Sequence, residues 1–236
     1  MINNITIEIC IGNIDDALCS CRYPIDRIEL NSALELGGLT PSVETLRLLK
    51  EKVRQKICCM VRPRGGDFTY SDIEFEVMLK DARLLLENGA DGIVFGFLNK
   101  DHTVDQKRTQ KMADLIHSYE KEAVFHKAYD NTPDLEAALK VLIECGIDRV
   151  LTSGGCVYPH IIEGSRVIGD LYAKYGSKIQ MLPGGGVRVE NIQDVLRLSK
   201  THQIHMSSKK TAEGGYQTLD EPQLIELLEK ICMYKE

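Results

Sequence analysis

No apolar run in this 236-residue sequence approaches the roughly 20 residues that a membrane-spanning helix needs. The opening Met1-Ile2-Asn3-Asn4 lacks the basic stretch and long apolar segment of a signal peptide. These absences lead to the expectation of a cytoplasmic protein with no membrane partner. Basic residues are also in short supply. The net charge of −6 argues against a nucleic-acid partner, because phosphate binding favours a basic surface. No linker or low-complexity segment marks a domain boundary. Eight cysteines are present, but their spacing makes a poor disulfide framework, and in a reducing compartment they are expected to stay thiols.

What remains is an ordinary globular balance, 43% apolar and 27% charged. Short β-branched runs recur every βα unit: Ile5–Ile9, Arg27–Leu30, Ile57–Arg62, Gly92–Phe97, Ala123–Lys127, Arg149–Thr152, Ile179–Leu182 and Gln203–Met206. Helical stripes lie between them, such as Phe75, Leu79, Ala82 and Leu86, or Leu135, Leu139 and Leu142. Ser42 is placed to cap a helix beginning at Val43, and Glu221-Pro222 opens the last helix. A weak repeat precedes three strands: Pro24-Ile25-Asp26, Asn88-Gly89-Ala90-Asp91 and Cys145-Gly146-Ile147-Asp148. Strand one is followed by Cys10-Ile11-Gly12-Asn13 rather than a GxGxxG loop, so no nucleotide cofactor is expected. Eight full units in a chain near the usual length of about 250 residues predict one TIM (β/α)8 barrel domain over residues 1–236.

Strand alternation predicts which side chains face the barrel interior. Ile5, Ile7 and Ile9 pack outward, leaving Thr6, Glu8 and Cys10 inward. By the same parity Arg27, Glu29, Asn31, Cys58, Met60, Arg62, Val124, His126, His205 and Ser207 face inward. Strands four, six and seven are not clean enough to assign. Glu8, Glu29, Arg62 and His126 then converge with His205 near the C-terminal mouth, where barrel active sites lie. Such a group suits acid–base chemistry; a self-satisfied Glu–Arg plug is the competing explanation.

The loops at that mouth carry an anion-binding composition. Arg62-Pro63-Arg64-Gly65-Gly66-Asp67 offers two guanidinium forks, with Asp67 placed to orient one. Ser153-Gly154, Gly184-Gly185-Gly186 and Ser207 follow late strands, where glycine loops commonly hold phosphate through backbone amides. Among the cysteines, only Cys10 combines an inward direction with the mouth. With Met60 deeper on a nearby strand and nitrogen from His126 or His205, it is the candidate ligand for copper(I), which prefers soft donors.

Several segments resemble the CutC family: Ile7-Glu8-Ile9-Cys10, Asp26-Arg27-Ile28-Glu29-Leu30, Gly37-Gly38-Leu39-Thr40-Pro41-Ser42, and above all Arg62-Pro63-Arg64-Gly65-Gly66-Asp67-Phe68-Thr69-Tyr70-Ser71-Asp72. Phe125-His126-Lys127-Ala128-Tyr129-Asp130 and Pro183-Gly184-Gly185-Gly186-Val187 continue the match. The resemblance implies a TIM barrel, a cytoplasmic location, a homodimer and a role in copper homeostasis. Many relatives carry a second cysteine where this chain has Asn31, so a paired-thiolate copper site cannot form here.

Three functions stay open at this point. The chain could handle copper through Cys10. It could be an enzyme acting on a small anionic or phosphorylated metabolite held by Arg62, Arg64 and the glycine loops. That enzyme would use Glu8 or Glu29 as base and His126 as acid, or a divalent metal on Glu8, Glu29, His126 and His205. It could also be a non-catalytic ligand sensor.

Overall fold

The computed structural model describes residues 1–156 and 159–235. Strands β1 (Thr6–Ile11), β2 (Arg27–Leu30), β3 (Lys56–Met60), β4 (Gly92–Phe95), β5 (Glu122–Phe125), β6 (Arg149–Thr152), β7 (Gln180–Pro183) and β8 (Gln203–Met206) form one parallel sheet. Each is followed by a helix: α1 (Ile14–Ser20), α2 (Val43–Lys52), α3 (Asp72–Glu87), α4 (Gln106–His117), α5 (Leu135–Glu144), α6 (Ile161–Tyr175), α7 (Ile192–Ser199) and α8 (Glu221–Met233). This is the TIM barrel that the eight repeated units predict. A small antiparallel hairpin, β9 (Lys209–Thr211) with β10 (Gln217–Leu219), sits between β8 and α8.

The sheet runs β7-β6-β5-β4-β3-β2-β1-β8. The seam between β7 and β8 carries no ladder among the described residues. There the Gln203 side-chain amide donates to the Met181 carbonyl at 3.2 Å.

Alternation sorts the core into two layers. Ile5, Ile7, Ile9, Ile28, Leu30, Ile57 and Cys59 pack outward beneath the helices. Cys58, Met60, Val94 and Val124 form a separate small cluster inside the barrel. Glycine makes room in that interior just past β4, where a Cβ on Gly96 would lie 2.5 Å from the His126 ring.

The repeat before the even strands has a mechanical role. Asp26 accepts the Ile7 amide at 2.9 Å, Asp91 accepts that of Ile57 at 2.8 Å, and Asp148 accepts that of Ala123 at 2.8 Å. Each aspartate thus ties off the first free N–H of the preceding odd strand, satisfying a backbone donor at the barrel's lower rim. Gly89 and Gly146, in the same repeat, take φ of +95° and +72° past their helix ends, where a Cβ would be strained.

Two local expectations need correction. Ser42 stands at the N-cap of α2 but its hydroxyl makes no capping bond. The fifth strand ends at Phe125 rather than Lys127, because His126 turns to cap a short 3₁₀ helix, Lys127–Asn131, by accepting the Ala128 N–H.

Candidate functional site

The C-terminal ends of the strands surround a cavity of about 150 Å³. Cys10 from β1, Glu29 from β2, Met60 from β3, Leu151 from β6 and His205 from β8 line it, with Arg62, Phe68, His126 and Lys127 from the following segments. A space of this size holds a few waters or a molecule of about six heavy atoms, well below the roughly 300 Å³ and more of drug-sized clefts.

Cys10, Glu29 and His205 each present a ligand-type atom, and these three lie within 4.8 Å of one another. Burial, reinforced by the Glu29 carboxylate, pushes the Cys10 thiol well above its ordinary range. Asn31, just past β2, faces this pair. Its amide donates to Glu29 Oε2 at 2.9 Å and to Cys10 Sγ at 3.5 Å, so it positions the pair instead of adding a thiolate.

Glu8 lies one layer deeper and does not line the cavity. The expectation of a catalytic base there is corrected by its partners: it accepts from the Arg27 guanidinium on one side and meets His205 Nδ1 at 2.7 Å on the other. Burial alone would raise its pKa; Arg27 and His205 instead hold it well below the usual carboxylate range. A committed carboxylate of this kind orients the imidazole. With Nδ1–H donated to Glu8, His205 Nε2 is left as the metal-facing atom, the carboxylate–histidine pairing common behind metal ligands. Burial pulls His205 down, but Glu29 and Glu8 outweigh it and raise the imidazole above its ordinary pKa.

His126 behaves differently and does not join the metal-type trio. Its Nδ1 accepts the Ala128 N–H at 3.0 Å, which leaves the ring proton on Nε2. A protonated Nε2 is a hydrogen-bond donor and not a ligand, which corrects the expectation of His126 as a metal residue. Burial, then the Arg62 charge, lowers its pKa to about 3. An unfolded histidine titrates near 6.5, so the folded state binds fewer protons between the two values. Stability should therefore fall as pH drops below about 6.5, by up to ~1.4 kcal/mol per pH unit from this group. In His126→Gln, which cannot titrate, urea midpoints between about pH 4 and 7 should slope less steeply than wild type; equal slopes would remove His126 as the cause.

Of the two arginines expected to hold an anion, Arg64 and both Nη groups of Arg62 are already occupied. Arg62 Nη1 donates to the carbonyls of Leu36, Gly37 and Gly38 at 3.2, 3.3 and 3.4 Å, and Nη2 to that of Gly66 at 2.8 Å. It ties two glycine turns together, both of them in the segments that resemble CutC. Its guanidinium also lies 5.0 Å from the Phe68 ring centroid, and that ring packs on His126 with centroids 4.9 Å apart. Arg64 bonds Glu74 at 2.6 Å, Asp67 at 3.2 Å and the Thr69 carbonyl at 2.9 Å, away from the cavity lining. Asp67 thus orients Arg64, as its spacing suggests, but toward α3.

The loop after β6 has also found its anion within the chain. The Asp130 carboxylate accepts the Ser153 amide at 2.9 Å, the Gly155 amide at 3.0 Å and the Ser153 hydroxyl at 2.8 Å, with Lys127 Nζ at 3.2 Å. Gly154 donates to Thr152 Oγ1 at 2.8 Å. A free phosphate at Ser153 and Gly154 would have to displace a carboxylate from its own amides, which corrects that expectation. Of the later glycines, Gly184 and Gly185 serve close packing. A Cβ at Gly184 would lie 2.7 Å from Leu151, and one at Gly185 would lie 2.3 Å from Lys127 Nζ. Gly186, at φ +111°, turns the loop, and its carbonyl accepts from Asn191 at 3.0 Å. Ser207 Oγ is buried with no partner among the described residues.

Lys127 and Phe68 are cavity residues that strand parity did not find: Phe68 lies in a loop, and Lys127, read as the end of the fifth strand and outward like Phe125, begins the 3₁₀ helix instead. The only sequence signal for either was its place in a CutC-like segment.

The sequence pattern of the CutC family matches residues 5–210. A CutC family protein of Treponema denticola is 45% identical over 210 residues, covering 89% of this chain and 84% of the relative. The human copper homeostasis protein cutC homolog is 38% identical, covering 90% of this chain and 77% of the relative. Among solved structures, CutC from Streptococcus agalactiae superposes with a TM-score of 0.79 at 30% identity, over 85% of this chain and 97% of that one. Phosphoribosyl anthranilate isomerase from Thermococcus kodakaraensis matches at TM-score 0.61 and 15% identity, over 96% of this chain and 98% of that one, which is a likeness of fold alone.

Proposed function

The chain belongs to the CutC family, and from that premise we propose that it serves copper homeostasis by binding copper(I) at the mouth of its barrel, through Cys10 and His205 with Glu29 beside them. The observation that carries this reading is the convergence of one sulfur, one nitrogen and one oxygen donor within 4.8 Å. Copper(I) is soft, so the Cys10 sulfur supplies the main bond and the His205 nitrogen the second. The Met60 thioether lines the same cavity and adds a further soft donor. Burial, with the Glu29 carboxylate beside it, keeps the thiol protonated until an ion strong enough to displace the proton arrives.

The mixed donor set also suits zinc(II), so a divalent ion is the competing cargo. No helix of the described residues is long and apolar enough to cross a membrane. We further place the protein in the cytoplasm as a homodimer, in line with the family resemblance.

Titration of copper(I) against a chromophoric competitor, with X-ray absorption on the loaded protein, tests the reading. The expected result is one equivalent per chain, with sulfur and nitrogen or oxygen in the same coordination shell, and loss of the nitrogen signal in His205→Ala. Ligation by sulfur alone would put the ion on other thiols and remove the mouth as its site. Zinc bound more tightly than copper(I) would assign the trio to a divalent ion.

A further inference from the structure

Among the described residues, the buried side-chain atoms with no hydrogen-bond partner include Glu29 Oε1, Arg62 Nε and His126 Nε2, and all three residues line the mouth cavity. Unmet buried polar groups are uncommon and need an explanation. These three are complementary in kind. Glu29 Oε1 can only accept while the carboxylate is ionised; the Arg62 and His126 nitrogens can only donate. Lys127, whose Nζ also meets Asp130 at 3.2 Å and donates to Ser153 Oγ at 2.8 Å, adds a shared cation at the rim over Gly185. Met60 and Leu151 complete an apolar wall.

We propose that this cavity binds a small 2-hydroxycarboxylate, with its hydroxyl donated to Glu29 and its carboxylate facing His126, Arg62 and Lys127. The volume of about 150 Å³ fits a molecule of about six heavy atoms, the size of lactate, whose methyl group suits the Met60–Leu151 wall. Inorganic phosphate fits poorly. It brings mainly acceptors and negative charge to Glu29, and the loop amides that would cradle it already hold Asp130. A simple carboxylate such as acetate leaves Glu29 Oε1 without a donor, so the hydroxyl is the specificity element.

This inference shares the cavity with the copper reading but does not depend on it, because it concerns the metal-free protein. Calorimetry on chelator-treated protein should show lactate binding at least about tenfold more tightly than acetate, with phosphate weaker than lactate. His126→Phe, which keeps a ring against Phe68, should weaken lactate binding at least about tenfold, and His126→Gln, which restores a donor, should recover part of it. Circular dichroism and urea unfolding of His126→Phe should match wild type closely enough to show that the variant is folded, independently of any metal. Equal binding of lactate and acetate, tighter binding of phosphate, or no response to His126→Phe would overturn the proposal. Lactate binding by a protein that fails to bind copper(I) would sink the copper reading and leave this one standing.

Discussion

Replacing Cys10 with Ser should lower copper(I) affinity by about a thousandfold or more, because a hydroxyl is a hard, protonated oxygen where the ion seeks a thiolate. The loss should be confined to this position. Cys58 and Cys59 are fully buried on β3, and neither lines the cavity. Cys232 is exposed on the last helix, so Cys232→Ser is the matched control and should bind as wild type. Asn31 sharpens the test. It puts an amide, not a second thiol, beside Cys10, and among the described residues no other cysteine lines the cavity to take over when Cys10 is removed. A competitor titration in which Cys10→Ser stays within about threefold of wild type would end the claim that the mouth holds copper.

The second large effect concerns stability. Glu8 is 1% exposed and Arg27 5% exposed, and the Glu8 carboxylate serves both Arg27 and His205. In Glu8→Ala the guanidinium keeps only the Gln203 oxygen at 3.2 Å, and His205 loses the acceptor that fixes its tautomer. Removing one partner of a buried pair typically costs about 3–5 kcal/mol, a large share of a net folding stability of about 5–15 kcal/mol. Urea unfolding near neutral pH should show that loss. The sign with pH follows from the lowered pKa. Stabilisation by ionised Glu8 is fully present above its ordinary value of 4.5, and it is lost progressively as pH falls from there to its lower folded value. Removing both charges, as Glu8→Leu with Arg27→Met, should cost less than Glu8→Ala alone, because no charge is left stranded. A single variant within about 1 kcal/mol of wild type would show that the pair is not the anchor described here.

The comparison of Glu8 with Glu29 shows where the sequence stops being informative. Both alternate inward, and parity treats them alike. Depth is set by register between strands. Glu8 stands beside Arg27 and His205 in the ladder, whereas Cys10 stands beside Glu29 one step higher. That single step turns one glutamate into a support and the other into a wall of the cavity.

The same limit applies to the loops. Arg62, Arg64, Ser153 and Gly154 have the composition of an anion site, and the structure spends most of their hydrogen-bonding capacity on Leu36, Gly37, Gly66, Glu74 and Asp130. Asp130 is 23 residues from Ser153, and Leu36 is 26 residues from Arg62. Composition announces the donors, but only folding selects their acceptors.

Taken alone, then, the residue order determined the eight-unit barrel and the inward face of its cleanest strands. It could do so because strand alternation is a local, period-two property of the backbone. Tertiary structure decided which inward groups remained without partners, which loops filled themselves and how deep each charge lay. Those outcomes depend on contacts between segments distant in the chain, and no local pattern encodes them.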